Sequence, residues 1–240
     1  ARPDIEKIKP LFWLGEFDAI ENPEYMEVFD AAYAWKWMHA TENFYKHERD
    51  VKVLKDLLLQ YEKTYPPNTT GLFFTSNHDE NSWNGTEYEK YGDMALALAV
   101  LSFTWNGIPL IYSGQEMPLH KRLMFFDKDA IEWAGKYELA GFYKTLLNLH
   151  STHPALAAGS PKVQTHIIPV AKDEHILAYS RTCGNKNVVV FLNLSPYPST
   201  FQPDMQIATK LTELFTNQAK DFAADKTVSL PEWGYKVYVN

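Results

Sequence analysis

The sequence predicts an α/β protein in which β/α units surround a parallel sheet and a smaller antiparallel β domain follows. Three observations predict it. Short, nearly all-apolar runs at 11–17, 72–76 and 108–114 read as strands covered on both faces. Stretches between and after these runs space their apolar residues as helices do. Beyond residue 153 the helical signal nearly vanishes, and short runs rich in Val, Ile, Tyr and Phe alternate with Gly, Pro, Asn and Asp.

Taken in order, LFWLGEF (11–17) is a strand carrying one acid, Glu16, among apolar neighbours. FDAAYAW (29–35) is a second candidate strand, although its alanines fit a helix as well. Over 48–65, Val51, Leu54, Leu58 and Tyr61 fall on one side at helical spacing, and Pro66 and Pro67 end the element. Residues 72–76 form the third strand. A long helix over 87–105 has an apolar face that broadens toward its end, where Asn106 and Gly107 close it. IPLIYSG (108–114) is again a strand and 136–153 again a helix, so the alternation argues for β/α units. The runs KVQTHIIPVA, HILAYSRT, KNVVVFLNLS, KLTELF and YKVYVN then predict a small antiparallel sandwich. Pro, Gly and Ser cluster in HPALAAGSP, which divides the chain into 1–153 and 154–240.

Composition narrows the function classes. With 240 residues, 45% hydrophobic and 22% charged, the chain can bury a sizeable core and is neither disordered nor fibrous. A net charge of -7, spread in small mixed clusters, argues against nucleic acid and is compatible with a neutral ligand. Cys183 cannot pair within the chain and leaves the compartment open. No apolar run reaches the roughly 18 residues of a membrane span. The N-terminus lacks both a starting Met and a signal-peptide layout, and reads as a processed or truncated end. Aromatic residues make up 15% of the chain; they are core fillers first, but their flat faces also stack on sugars. His39 and His47 lack metal-ligand spacing and read as surface or packing residues.

Polar groups gather where the strands end. Asn77, His78 and Asp79 follow the third strand, and Gln115 and Glu116 follow the fourth. In parallel β/α architectures the C-terminal strand ends form one ligand-binding face. The alternative is that such acids cap the next helix or simply meet solvent. Glu16 reads as a buried carboxyl, the setting that favours the protonated form a general acid needs. Two carboxyls from separate strands, one in apolar and one in polar surroundings, suit glycosidic bond cleavage.

These residues carry a resemblance. FTSNHDENSWNG resembles the segment after barrel strand seven in the alpha-amylase family of glycoside hydrolases, with its F-x-x-N-H-D motif. LFWLGEF is similar to the strand-five segment bearing that family's general acid, GIPLIYSGQE matches the strand-eight pattern G-x-P-x-x-x-x-G-x-E, and KRLMFFDKDAIEW resembles the loop that follows. The resemblance covers almost the whole chain. It implies the second half of a (β/α)8 TIM barrel followed by a small antiparallel β-sandwich, and a retaining enzyme acting on alpha-linked glucans such as starch and maltooligosaccharides. It implies Glu16 as acid/base and Asp79 as the transition-state-stabilising acid that grips sugar hydroxyls. His78 becomes a hydrogen-bond donor beside Asp79, Asn77 and Glu116 structural supports, and Trp83, Phe12 and Arg122 substrate contacts. No metal ligand is assigned in this chain; calcium is compatible with the intact protein, as is a secreted or periplasmic location.

The departures are equally informative. The family's G-x-R-x-D-A segment, which holds the nucleophile, and its D-x-x-x-N-H segment do not occur. Asp30 has an adjacent Ala, but it follows the general-acid strand and lacks the Arg, so it is not the nucleophile. The expected partner is therefore an N-terminal half of the barrel, on the same gene product or as a cleaved fragment. Without it strands five and eight would keep unpaired edges, and the chain alone would be incomplete and inactive. Transglycosylation, a non-catalytic carbohydrate-binding or scaffold protein on a decayed amylase fold, and an unrelated β/α enzyme remain as alternatives. Asn68, Asn84 and Asn193 begin N-x-S/T triplets.

Overall fold

The computed structural model describes residues 2–47, 50–133, 135–171, 174–204 and 210–240. Helix α1 (Arg2–Glu6) precedes strand β1 (Leu14–Asp18), and strand β2 (Ala31–Tyr33) leads into helix α2 (Trp35–His47). Then come helix α3 (Lys52–Thr64), strand β3 (Thr70–Phe73), helices α4 (Glu87–Tyr91) and α5 (Ala95–Thr104), strand β4 (Gly107–Pro109) and helix α6 (Ala140–Thr152). The strands form one sheet in the order β1-β2-β3-β4 with every pair parallel, so their C-terminal ends share one edge.

The apolar runs explain this layer. Strand β3 is buried along its whole length, and burial continues unbroken to Asn77, as for a strand covered on both faces. Helix α3 buries Leu54, Leu58 and Tyr61, the stripe its spacing predicts. Helix α5, ALALAVLSFT, is buried almost all round, because it packs on β3 and β4 as well as on α6 and strand β7 (Lys186–Asn193).

Three expectations need correction. The helix over 87–105 is broken: Gly92 has φ 49°, and a Cβ there would sit 2.1 Å from the Tyr45 hydroxyl oxygen, so the chain turns where only glycine fits. Helix α2 has no counterpart in the sequence reading, yet Trp37, Met38, Thr41 and Phe44 all reach the core from it. Strand β4 covers Gly107–Pro109 rather than 108–114, because the following segment closes into turns, with Gln115 Oε1 accepting from the Tyr112 N–H at 2.7 Å.

The remaining strands are β5 (Gln164–Ile167), β6 (Ile176–Cys183), β8 (Ser199–Phe201), β9 (Lys210–Glu213), β10 (Ala219–Asp221), β11 (Val228–Leu230) and β12 (Tyr235–Val239). With β7 they make a six-stranded antiparallel sheet, β10-β9-β12-β7-β6-β5, and a two-stranded ribbon, β11-β8. Alternation along β7 sorts its residues. Val188, Val190 and Leu192 join the cluster containing α5, whereas Val189 and Phe191 face Phe201, Val228 and Leu230 of the ribbon. The core is therefore continuous from the parallel layer into the antiparallel one. Arg181 of β6 reinforces the join, donating to the Trp105 carbonyl at 2.6 Å and to the Ala157 carbonyl at 3.3 Å. Burial lowers its guanidinium to about 10. Asn193 is buried, and its amide donates to the Tyr197 carbonyl at 2.6 Å, so its triplet offers no accessible acceptor.

Candidate active site

The site is built along the shared C-terminal edge of the parallel sheet. In β1 the pairing runs Leu14 with Ala31 and Gly15 with Ala32, then jumps to Asp18 with Tyr33, so Glu16 and Phe17 bulge from the ladder. Such bulges re-aim side chains. A Cβ at Gly15 would lie 2.1 Å from the Phe17 ring, and its absence lets Phe17 fold back to meet Phe29 edge-on at 5.4 Å. Glu16 is exposed, not buried as expected. The reason is position: β1 is an edge strand of the sheet, and the desolvating cover that its apolar sequence neighbours imply is not provided.

Asp18, which the sequence reading missed, anchors this strand. It is buried; its Oδ1 accepts from the Ile20 N–H at 2.8 Å, and its Oδ2 accepts from the Lys36 N–H at 2.8 Å and from the Tyr61 hydroxyl. Burial and the Asp18 charge push the Tyr61 phenol well above its ordinary range. Asp30 has a comparable task, accepting from the Trp13 N–H at 2.8 Å and pairing with Arg2 at 2.8 Å.

Tyr33 ends β2, stacked on Trp35 at 5.3 Å and edge-on to Phe74 at 5.5 Å. Its phenol is raised first by burial and then by the charges of Glu16 and Asp79. Glu16 lies in β1 and Asp79 in the turn after β3. Tyr33 is the second site residue that the sequence reading missed.

Beyond β3, Asn77 is buried, and its Oδ1 accepts from the Glu80 N–H at 2.8 Å to start a π-helical turn over Glu80–Asn84. His78 is exposed with Nε2 3.6 Å from Asp79 Oδ1, and Asp79 is half-buried. Glu80 turns inward, where Lys90 Nζ lies 2.5 Å from its Oε2 and the Asn84 amide donates to its Oε1 at 2.9 Å. The Asn77 Nδ2 and Ser76 Oγ are buried without a partner among the described residues. Behind them Thr75 donates to Glu87 at 2.7 Å and the Gln115 amide donates to both, tying β3 to the segment after β4. Burial raises the Glu87 carboxyl above its ordinary value.

The other sequence candidates lie further out. Glu116 closes its own loop, with Oε2 accepting from the Gly114 N–H at 3.2 Å. Arg122 is exposed and its Nε donates to the Glu89 carboxylate at 2.9 Å, which holds that carboxyl down at about 2. Trp83 is exposed against Phe125 at 5.3 Å, and Phe125 stacks on His78 at 5.9 Å. Phe12 is exposed just ahead of β1. His78 thus lies against Asp79, Phe125 links Trp83 to His78, Asn77 is buried at the start of the turn that follows, and Glu16 and Asp79 both add to the shift of Tyr33. Among the described residues no group of three or more His, Cys, Asp or Glu could hold a metal ion. No helix of these residues is long and apolar enough to cross a membrane. Chemically, the paired carboxylates can divide proton transfer and charge stabilisation between them.

No family model matches the chain. It is 29% identical over 164 residues to alpha-amylase MalA of Haloarcula japonica, covering 67% of this chain and 23% of that protein. It is 24% identical over 207 residues to alpha-amylase 2 of Dictyoglomus thermophilum, covering 79% of this chain and 35% of that protein. The fold superposes with TM-score 0.80 on the crystal structure of an alpha-amylase from Lactobacillus plantarum, at 18% identity over 100% of this chain and 58% of that one. The chain thus spans well under two thirds of each relative. In motif, in sequence and in fold, it is similar to the C-terminal portion of alpha-amylase-family glycoside hydrolases.

Proposed function

We propose that this chain supplies two of the three carboxylates of a retaining glycoside hydrolase acting on alpha-linked glucans. Glu16 protonates the glycosidic oxygen and then activates water, while Asp79 and His78 hold the sugar hydroxyls and stabilise the oxocarbenium-like state. The nucleophile comes from outside the chain. What supports this reading is the position of both acids at the C-terminal edge of the parallel sheet, Glu16 in the bulge of β1 and Asp79 in the turn after β3, with both charges adding to the burial that raises the Tyr33 phenol.

The parallel sheet is read as strands five to eight of a (β/α)8 barrel, with residues 1–153 as the barrel half and 154–240 as the appended β domain. Among the described residues strands β1 and β4 are the edges of this sheet, and an N-terminal half supplying the other barrel strands would pair with both. The same half would cover Glu16 and give it the dry surroundings of a general acid. Calcium, if used, would take its ligands from that half.

The test uses the full-length gene product. Glu16→Gln is expected to lower starch turnover by about two to four orders of magnitude, with maltooligosaccharide binding retained. Undiminished turnover would remove Glu16 from the role. Residues 1–240 alone are expected not to hydrolyse starch; robust activity from them would overturn the external nucleophile.

A further inference from the structure

We propose that Asn84 is a site of spontaneous covalent modification, in which its side-chain amide is lost to the backbone of Gly85, and that the acid left behind loosens the turn on which Asp79 is mounted. The tripeptide Trp-Asn-Gly occurs twice, at 83–85 and 105–107. In an Asn-Gly pair no Cβ shields the second residue's backbone nitrogen, which can therefore attack the asparagine Cγ. A nitrogen–carbon bond forms, the Cγ–Nδ2 bond breaks, and the backbone proton departs with Nδ2 as ammonia. Water then opens the cyclic imide at either carbonyl, giving aspartate or the isomer whose main chain runs through the side chain.

The fold treats the two copies differently. Asn106 is locked: its Nδ2 donates to Glu62 at 3.1 Å, its Oδ1 accepts from the Gly159 N–H at 3.0 Å and from Arg181 at 3.2 Å, and Gly107 already belongs to β4. Freeing it means opening the sheet. Asn84 is exposed at the end of the π-helical turn. One residue, Glu80, holds both reacting groups there, its carbonyl accepting from the Gly85 N–H at 2.9 Å and its Oε1 from the Asn84 amide at 2.9 Å. Reaction therefore waits on release of a single turn, a smaller opening than that of a core strand. Gly85 has φ 123°, a conformation that side chains disfavour, so the fold keeps at this position the residue that hinders the attack least.

The product matters because of what Glu80 does. Its carboxylate is nearly sealed from water and paired with Lys90. Turning the Asn84 amide into a carboxylate deletes a donor to Glu80 Oε1 and sets a like charge against it. The isomer also lengthens the backbone of the turn. Neither consequence depends on what the site binds.

The experiment incubates the full-length gene product at alkaline pH and follows both tripeptides by peptide mass spectrometry, with chromatography separating aspartate from its isomer. Asn84 is expected to convert about tenfold faster than Asn106, because modification of a transiently opened segment follows the population of its open form. Asn84→Gln should abolish the mass gain in its peptide. Asn84→Asp, which reproduces the simpler product, is expected to lower the thermal midpoint by about 2–4 °C. An Asn84 that stays intact, or one that converts no faster than Asn106, would overturn the site. An unchanged midpoint in Asn84→Asp would overturn its effect on the turn.

Discussion

Lys90 Nζ lies 2.5 Å from Glu80 Oε2, with both side chains nearly sealed from water. Glu80 adjoins Asp79, so this buried pair fixes the turn on which a candidate catalytic carboxylate is mounted. Removing one partner leaves an uncompensated buried charge. Lys90→Met is expected to cost about 3–5 kcal/mol in urea unfolding. Adding Glu80→Leu should recover at least half, because the stranded charge goes and Asn84 can turn to water. A double variant no better than the single one would refute this account of the turn.

The second prediction tests the meeting of Glu16 and Asp79. Both charges disfavour the Tyr33 phenolate, after burial as the larger cause. Glu16→Gln and Asp79→Asn should each lower the Tyr33 titration midpoint, and the double variant should lower it further. Tyrosine ring-carbon NMR across alkaline pH reads this directly. A midpoint indifferent to both substitutions would mean that the carboxylates do not share a pocket.

Glu87 gives a pH-dependent prediction. Burial raises its carboxyl, so its contribution to stability is fully present below the unfolded value and is lost as pH rises through the folded one. A glutamine keeps an acceptor for Thr75 and carries no charge. Glu87→Gln should therefore raise the thermal midpoint at pH 8, and the advantage should shrink toward pH 4. A constant difference across that range would show that ionisation of Glu87 is not what the fold resists.

Tyr61 and Asp18 make the fourth. Tyr61→Phe deletes one of three donors to a buried carboxylate and is expected to cost about 1–3 kcal/mol. Asp18→Ala should cost more, since it also strands the Ile20 and Lys36 N–H groups. Equal losses in chemical denaturation would deny Asp18 its role as the anchor of β1.

Much of this was legible before any coordinates. The long apolar stripe of α3 and the unbroken run of β3 identify themselves by period, because burial on one face or on two leaves different patterns. The motif residues His78 and Asp79 follow β3 at the C-terminal edge of the parallel sheet, the edge the alternation of strands and helices predicts. What stayed hidden depends on contacts between distant segments. Asp18 sits two residues after Glu16 and nothing local tells the two acids apart; a register jump in β1 turns one out and a tyrosine 43 residues away draws the other in. Helix α2 escaped because its inward stripe is short and includes the polar Thr41, although Trp37, Thr41 and Phe44 keep helical spacing. Glu80 directly follows Asp79 in sequence, yet it turns inward to Lys90, ten residues on.

The single core shared by α5 and one face of β6 and β7 has a consequence for how the molecule comes apart. Nicking the backbone between α6 and β5 would sever a covalent link but no hydrophobic one. The two pieces should elute together in mild buffer and separate only in denaturant, as halves of one folding unit.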